Sequence, residues 1–258
     1  MLVSSINIST PSNVKVSGTQ ISQTSSVSST ATDTLASTAG NTKDTSSLSS
    51  LARQLSEASA RAEARDKSLS RKELGEKASQ LTEQLVGGSY DANKALHNAE
   101  IPDSDDPERL ERAKNATQFV NGSGKNPFAG MSRDQLSVIA YDESGDFTVN
   151  EKKSAWLESY RQERVWRQQV VAQGSAEYTA TGKLTDFYTS VLDHYKGLSA
   201  IEQSQYPSSY ETKLQEWIDL DYNYKTSTAE GNTGAKSLLD KVLNPESDLY
   251  KGQGDADL

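Results

Sequence analysis

The chain contains no cysteine. That excludes disulfides, zinc–thiolate centres, iron–sulfur clusters and thiol nucleophiles together. It has two histidines, His97 and His194, and their spacing offers no His-x-x-x-His pair for a zinc site. Neither a Gly-x-Ser-x-Gly elbow nor a Gly-Lys-Ser/Thr phosphate loop occurs, so two common routes to hydrolase and nucleotide chemistry lack their sequence signatures. No apolar run approaches the ~18 residues that a membrane span needs. Met1–Gln20 has neither a basic start nor an apolar stretch after it, so no Sec signal peptide is expected. Basic runs interleaved with aromatics are missing too. With a net charge of −9, the surface is expected to repel phosphate backbones and anionic lipid, which leaves protein as the partner class.

Aromatics are unevenly placed. The first of the 18 is Tyr90, whereas 24 of the first 50 residues are Ser or Thr. Residues 1–45 therefore have too little apolar area to offset their chain entropy, and they read as a disordered tail. Acid-poor and Ser-rich, this tail resembles in composition the leaders of bacterial type III secretion substrates. The resemblance implies a bacterial cytoplasm before export, and secretion as an effector.

Past the tail the spacing becomes helical. Leu48, Leu51, Leu55, Ala58 and Ala62 recur every three or four residues, as do Leu74, Ala78, Leu81 and Leu85, which predicts a helical hairpin over 46–65 and 71–86. Ser70 and Glu73 form a capping box between the two helices. The narrow, Ala-rich stripes require a partner surface, either the rest of the chain or a second copy. Residues 46–88 are thus a hairpin on the main domain or on a partner. Residues 89–250 are an all-α core domain, and 251–258 a disordered C-terminus.

Within the core domain, helices are expected at 91–99, 107–120 (Pro107 at its first position), 132–140, 148–172, 184–195, 210–224 and 235–243. Leu184, Phe187, Tyr188, Val191, Leu192 and Tyr195 make the clearest amphipathic stripe. Strand-type alternation is nowhere sustained, so the fold class is all-α.

One loop carries candidate chemistry. Tyr141-Asp-Glu-Ser-Gly-Asp-Phe-Thr-Val-Asn-Glu151 lies between two expected helices, and the element 131–160 resembles an EF-hand. Calcium takes six to eight oxygens, a glycine allows the sharp turn at mid-loop, and a closing glutamate chelates with both oxygens. Aligning Gly145 with that turn makes Asp142, Ser144, Asp146 (through its carbonyl), Thr148 and Glu151 the metal ligands that the resemblance implies. Phe147 takes the core-facing apolar position. Ala140 stands where the first aspartate belongs, which costs one ligand and one charge and implies millimolar affinity or weaker. The alternative is a plain turn with Thr148 and Glu151 as a capping box. Ser68–Leu74 repeats the apolar–hydroxyl–x–x–Glu order, so Leu69 and Phe147 are expected side by side if the two loops pair.

Other acids offer weaker leads. Asp219 and Asp221, beside Trp217, Tyr222 and Tyr224, would suit a carboxylate-dependent hydrolase only within a cleft. His194 lies off the apolar face of its helix and reads as an edge residue. The composite reading is a non-enzymatic helical interaction protein whose folded part carries a degenerate EF-hand-like loop. A calcium-responsive binding protein using 141–151 is the first alternative and a hydrolase the second. Calcium is the one cofactor under consideration, and the hairpin leaves self-association open.

Overall fold

The computed structural model describes residues 49–231. The Ser/Thr-rich tail, the helix expected at 235–243 and the C-terminal octapeptide lie outside them. The described chain is all-α but for one two-residue strand pair.

The hairpin forms as α1 (Ser50–Ser68) and α2 (Arg71–Val86). Ser49 caps the first helix by accepting the Ala52 amide, and the Ser70–Glu73 box opens the second with both reciprocal bonds made. Its apolar stripes are spent within the chain. Ala58, Leu74, Ala78 and Leu81 share one core with Phe128, Leu136, Ile139, Ala140, Phe147, Ala155 and Ile201. Four of these are alanines, which let helix axes approach closely.

Two short helices follow, α3 (Gly88–Ala92) and α4 (Lys94–Ala99), where a single one was expected. Then comes α5 (Pro107–Val120), capped by Asp106 with proline at its start. α6 (Arg133–Ala140) begins at a second capping box, Ser132–Gln135. α7 (Val149–Thr181) begins at a third, Thr148–Glu151, and runs for 33 residues, about 50 Å at 1.5 Å per residue. It passes the expected end at 172 because its next stop signal is Gly182, which caps the helix with φ of 82°, a conformation glycine adopts without side-chain strain.

α7 is the spine on which α5, α6 and α2 pack at one end and α8 (Thr185–Lys196) at the other. α9 (Ala200–Gln203) starts at a capping box unforeseen from the sequence, Ser199–Glu202. α10 (Tyr210–Leu220) lies against α8, with Tyr188 stacked on Trp217 at 5.9 Å between ring centres. α10 ends four residues short of the expectation. Asp221 turns left-handed (φ 43°), and the chain continues as β1 (Tyr222–Asn223), paired antiparallel with β2 (Thr228–Ala229).

The first turns of α7 bury polar groups rather than apolar ones. Asn150, Glu151 and Ser154 are fully enclosed, and each has partners, as buried polar groups require. Asn150 accepts from the Tyr90 hydroxyl at 2.8 Å and donates to the His97 carbonyl, Asn98 and Thr117. It thereby ties α3, α4 and α5 to the spine.

Candidate functional site

The loop 141–151 turns as its sequence implies. Gly145 has φ of 87°. Asp142 accepts from the Ser144 amide and hydroxyl, and Ser144 accepts in turn from the Asp146 amide at 3.1 Å. Phe147 is buried in the core, and Leu69 packs against the same cluster. No strand joins the two loops, since the sole pairing among the described residues is β1 with β2.

Its acids face cations from the rest of the fold. Arg61 of α1 bridges Asp142 at 3.0 Å and Asp146 at 2.8 Å. Arg109 of α5 donates to the Asp146 carbonyl at 3.1 Å, and Gln54 does so at 2.8 Å. Lys152 reaches the Asp142 carbonyl. Glu151 turns inward: one oxygen accepts from Arg112 at 2.7 Å and the other from the Thr148 amide and hydroxyl. Arg112 continues to Gln54 at 2.6 Å.

The structure thus gathers Asp142, Ser144 and Asp146 into one turn and holds Thr148 and Glu151 in the helix cap. Glu151 points away from that turn, inward to Arg112. Among the described residues no group of three or more His, Asp or Glu side chains is arranged to hold a metal ion. Guanidinium groups occupy the positions around the loop where a cation's charge would act, and a second cation there would meet Coulomb repulsion.

Aspartates 219 and 221 are engaged separately. Asp221 accepts from Lys183 and from the Thr185 hydroxyl, and these bonds hold its carboxyl below the usual range. Asp219 accepts from Gln215 on its own helix.

A second constellation, which local pattern did not announce, lies where α6, α7, α8 and α9 meet. Glu163 of α7 accepts from Arg167 at 2.7 Å and Arg133 at 3.2 Å, and pairs with His194 Nε2 at 2.8 Å. Arg133 also donates to Glu202 at 2.7 Å. Glu202 closes the network through the Ser199 amide and hydroxyl. The His194 ring lies flat on Trp166 with centroids 3.6 Å apart, so it is an edge residue with a fixed orientation. Burial alone would raise Glu163. The bonds from His194 and Arg167 and the charge of Arg133 outweigh it and bring the carboxyl down to about 2.

Beside this network opens a cleft of about 280 Å³, walled by Trp156, Tyr160, Arg167 and Tyr206, with Tyr141 and Gln205 behind. Trp156 and Tyr160 stack at 5.5 Å. Tyr160 is 56% exposed. Burial raises the Tyr206 and Tyr141 phenols, with Glu163 adding to the first and Glu202 to the second, so both stay protonated near neutral pH. Chemically the cleft offers aromatic faces, phenolic and amide groups and one guanidinium at the rim. Its carboxylates are already paired, and at about 2 Glu163 is too acidic for proton transfer near neutrality.

No family model matches the chain, and no curated protein or solved structure is measurably similar to it. The site therefore has to be read from its own geometry. The one sequence signal for it was Ser199-x-x-Glu202, a capping-box pattern that places Glu202. The other members come from α6, α7 and α8 and meet only on folding.

Proposed function

We propose that this chain is a non-enzymatic helical binding module for a protein partner, exported from a bacterium as an effector. The cleft beside α7 is its recognition site. The observation that carries the reading is the make-up of that cleft: Trp156, Tyr160, Tyr206 and Arg167 around a cavity whose acids are neutralised. Trp, Tyr and Arg dominate interface hot spots, because they supply large rigid area with a polar tip. A partner's apolar or aromatic side chain would fill the cavity, while Arg167 and the phenols meet acceptors on its backbone. Export rests on the tail's composition; the folded part supports only the binding half.

The test is selection of peptides from a displayed random library on the full-length protein. Selected peptides should lose at least about tenfold in affinity to Tyr160→Ala or Arg167→Ala, the size of a hot-spot truncation. Binders indifferent to both changes, or no binders, would overturn the cleft as the site. The export half is tested separately, by fusing residues 1–45 to a reporter in a host with an active type III apparatus. A reporter retained in the cell would remove it.

A further inference from the structure

At the far end of α7 lies a second depression, about 380 Å³, lined by Val171, Gly174, Ser175, Tyr178, Leu184 and Phe187. Its character differs from the cleft: apart from the hydroxyls of Ser175 and Thr179 its walls are apolar or aromatic. Val171 is 58% exposed and Tyr178 43%. They stand seven residues apart on one face of the helix, about 10 Å along its axis. Between them Gly174 presents bare backbone, with Phe187 lying directly against it. Large side chains left open in this way mark a surface that something covers.

The β1–β2 hairpin carries the chain to its edge. Tyr224 donates its amide to the Gly182 carbonyl at 2.7 Å, and its ring lies 6.3 Å from that of Tyr178. Lys225 donates to the Thr179 carbonyl at 2.6 Å. Glu230 pairs at 2.8 Å with Lys183, the residue before Leu184. Gly231, the last described residue, donates to the Leu220 carbonyl. Four residues later the sequence reads Ala235-Lys-Ser-Leu-Leu-Asp-Lys-Val-Leu243. Its apolar residues fall at 235, 238, 239, 242 and 243, the i, i+3, i+4, i+7, i+8 stripe of a helix with one buried face.

We infer that segment 235–243 seats as a helix in the groove formed by Val171, Gly174, Tyr178, Leu184 and Phe187. The lengths agree. The four Cα–Cα steps from Gly231 to Ala235, across three linking residues, reach at most about 14 Å, and the hairpin they leave borders the groove through Tyr224 and Lys225. A nine-residue helix is about 13 Å long, enough to cover Val171 through Tyr178. So short a helix is marginal in water and needs such a surface to form. A second copy could offer the same stripe, but a short tether raises the local concentration of the chain's own segment to the millimolar range. That favours the intramolecular occupant. The inference stands independently of the cleft.

Because the chain has no cysteine, paired cysteines report the contact directly. In the full-length protein, Val171→Cys or Tyr178→Cys is combined in turn with Leu238→Cys, Leu239→Cys and Val242→Cys, and disulfide formation is timed under mild oxidant. Glu108→Cys on exposed α5 replaces the groove cysteine as control. The expected result is an intramolecular disulfide forming at least tenfold faster than the control in one or more pairs. Adding Lys241→Pro, which breaks the helical pattern, should bring that rate back to the control. Rates equal to the control in every pair would overturn the inference, and predominant intermolecular disulfides would assign the groove to a second copy instead.

Discussion

Arg112 donates to Glu151 across 2.7 Å in the interior, with 9% and 0% of their side-chain surfaces exposed. The glutamate that would close a calcium loop is instead the acid of a buried ion pair. Removing one member of such a pair strands the other and costs about 3–5 kcal/mol. Arg112→Ala is therefore expected to lower unfolding free energy by that amount in urea titration. Arg112→Met combined with Glu151→Met should recover most of the loss, because no charge is then left alone. A single variant as stable as the parent would show that the pair is not closed in solution.

The same geometry predicts the response to calcium. With Arg61 bridging Asp142 and Asp146, millimolar calcium should leave the melting temperature of the full-length protein where chelator leaves it. Glu151→Gln should show the same indifference at a lower melting temperature. A rise with calcium in the parent, lost in Glu151→Gln, would establish the loop as a cation site despite its guanidinium neighbours.

Acid stability should depend on Glu163. Its folded value of about 2 lies well below that of a free glutamate. Its contribution is present above pH ~4.5 and lost as pH falls toward 2. Arg133, Arg167 and His194 face it, and Glu202 shares Arg133. At pH 7, Glu163→Gln should be less stable by at most about 3 kcal/mol, and the gap should close progressively between pH ~4.5 and 2. A gap independent of pH over that range would mean the loss is one of packing. Glu158, also near 2 through its bonds to Arg161, supplies the same trend in the parent.

Gly174 should not tolerate a side chain. A Cβ there would sit 2.8 Å from Phe187 Cδ2 and 3.3 Å from its Cβ. In an open helix, alanine for glycine would gain about 1 kcal/mol. Here overpacking, typically about 1–3 kcal/mol, opposes it. Gly174→Ala is expected to destabilise on balance, and Gly174→Ala with Phe187→Leu to regain part of the loss. A stabilised single variant would show that α8 moves freely on α7.

Asn150 is the polar counterpart. Asn150→Leu removes the partner of the Tyr90 hydroxyl and three donor contacts to α4 and α5. Each buried group left unpaired costs about 1–3 kcal/mol. A loss of at least about 2 kcal/mol is expected, with hydrogen exchange rising first in residues 88–99. Unchanged exchange there would locate the anchor elsewhere.

The helices were readable because their signals are local. The Ser70–Glu73, Ser132–Gln135 and Thr148–Glu151 boxes and Pro107 involve residues three apart or adjacent, and each forms where its pattern says. The Leu/Ala stripes of the hairpin named its buried face for the same reason. What a pattern cannot hold is the identity of the group that faces a side chain from another element. Asp142, Asp146 and Glu151 have the order of an ion loop, but the Arg61, Arg109 and Arg112 they contact stand 37 to 85 positions away in the chain and meet them only when α1 and α5 pack. Glu163 met Arg133 and His194, and through Arg133 was joined to Glu202, in the same way, across three other helices. Sequence alone determined the fold class, most helix starts and the turn at Gly145. Tertiary structure decided which charges neutralise one another, and so whether an acid is left to bind an ion, because Coulomb energy depends on distance through space and not along the chain.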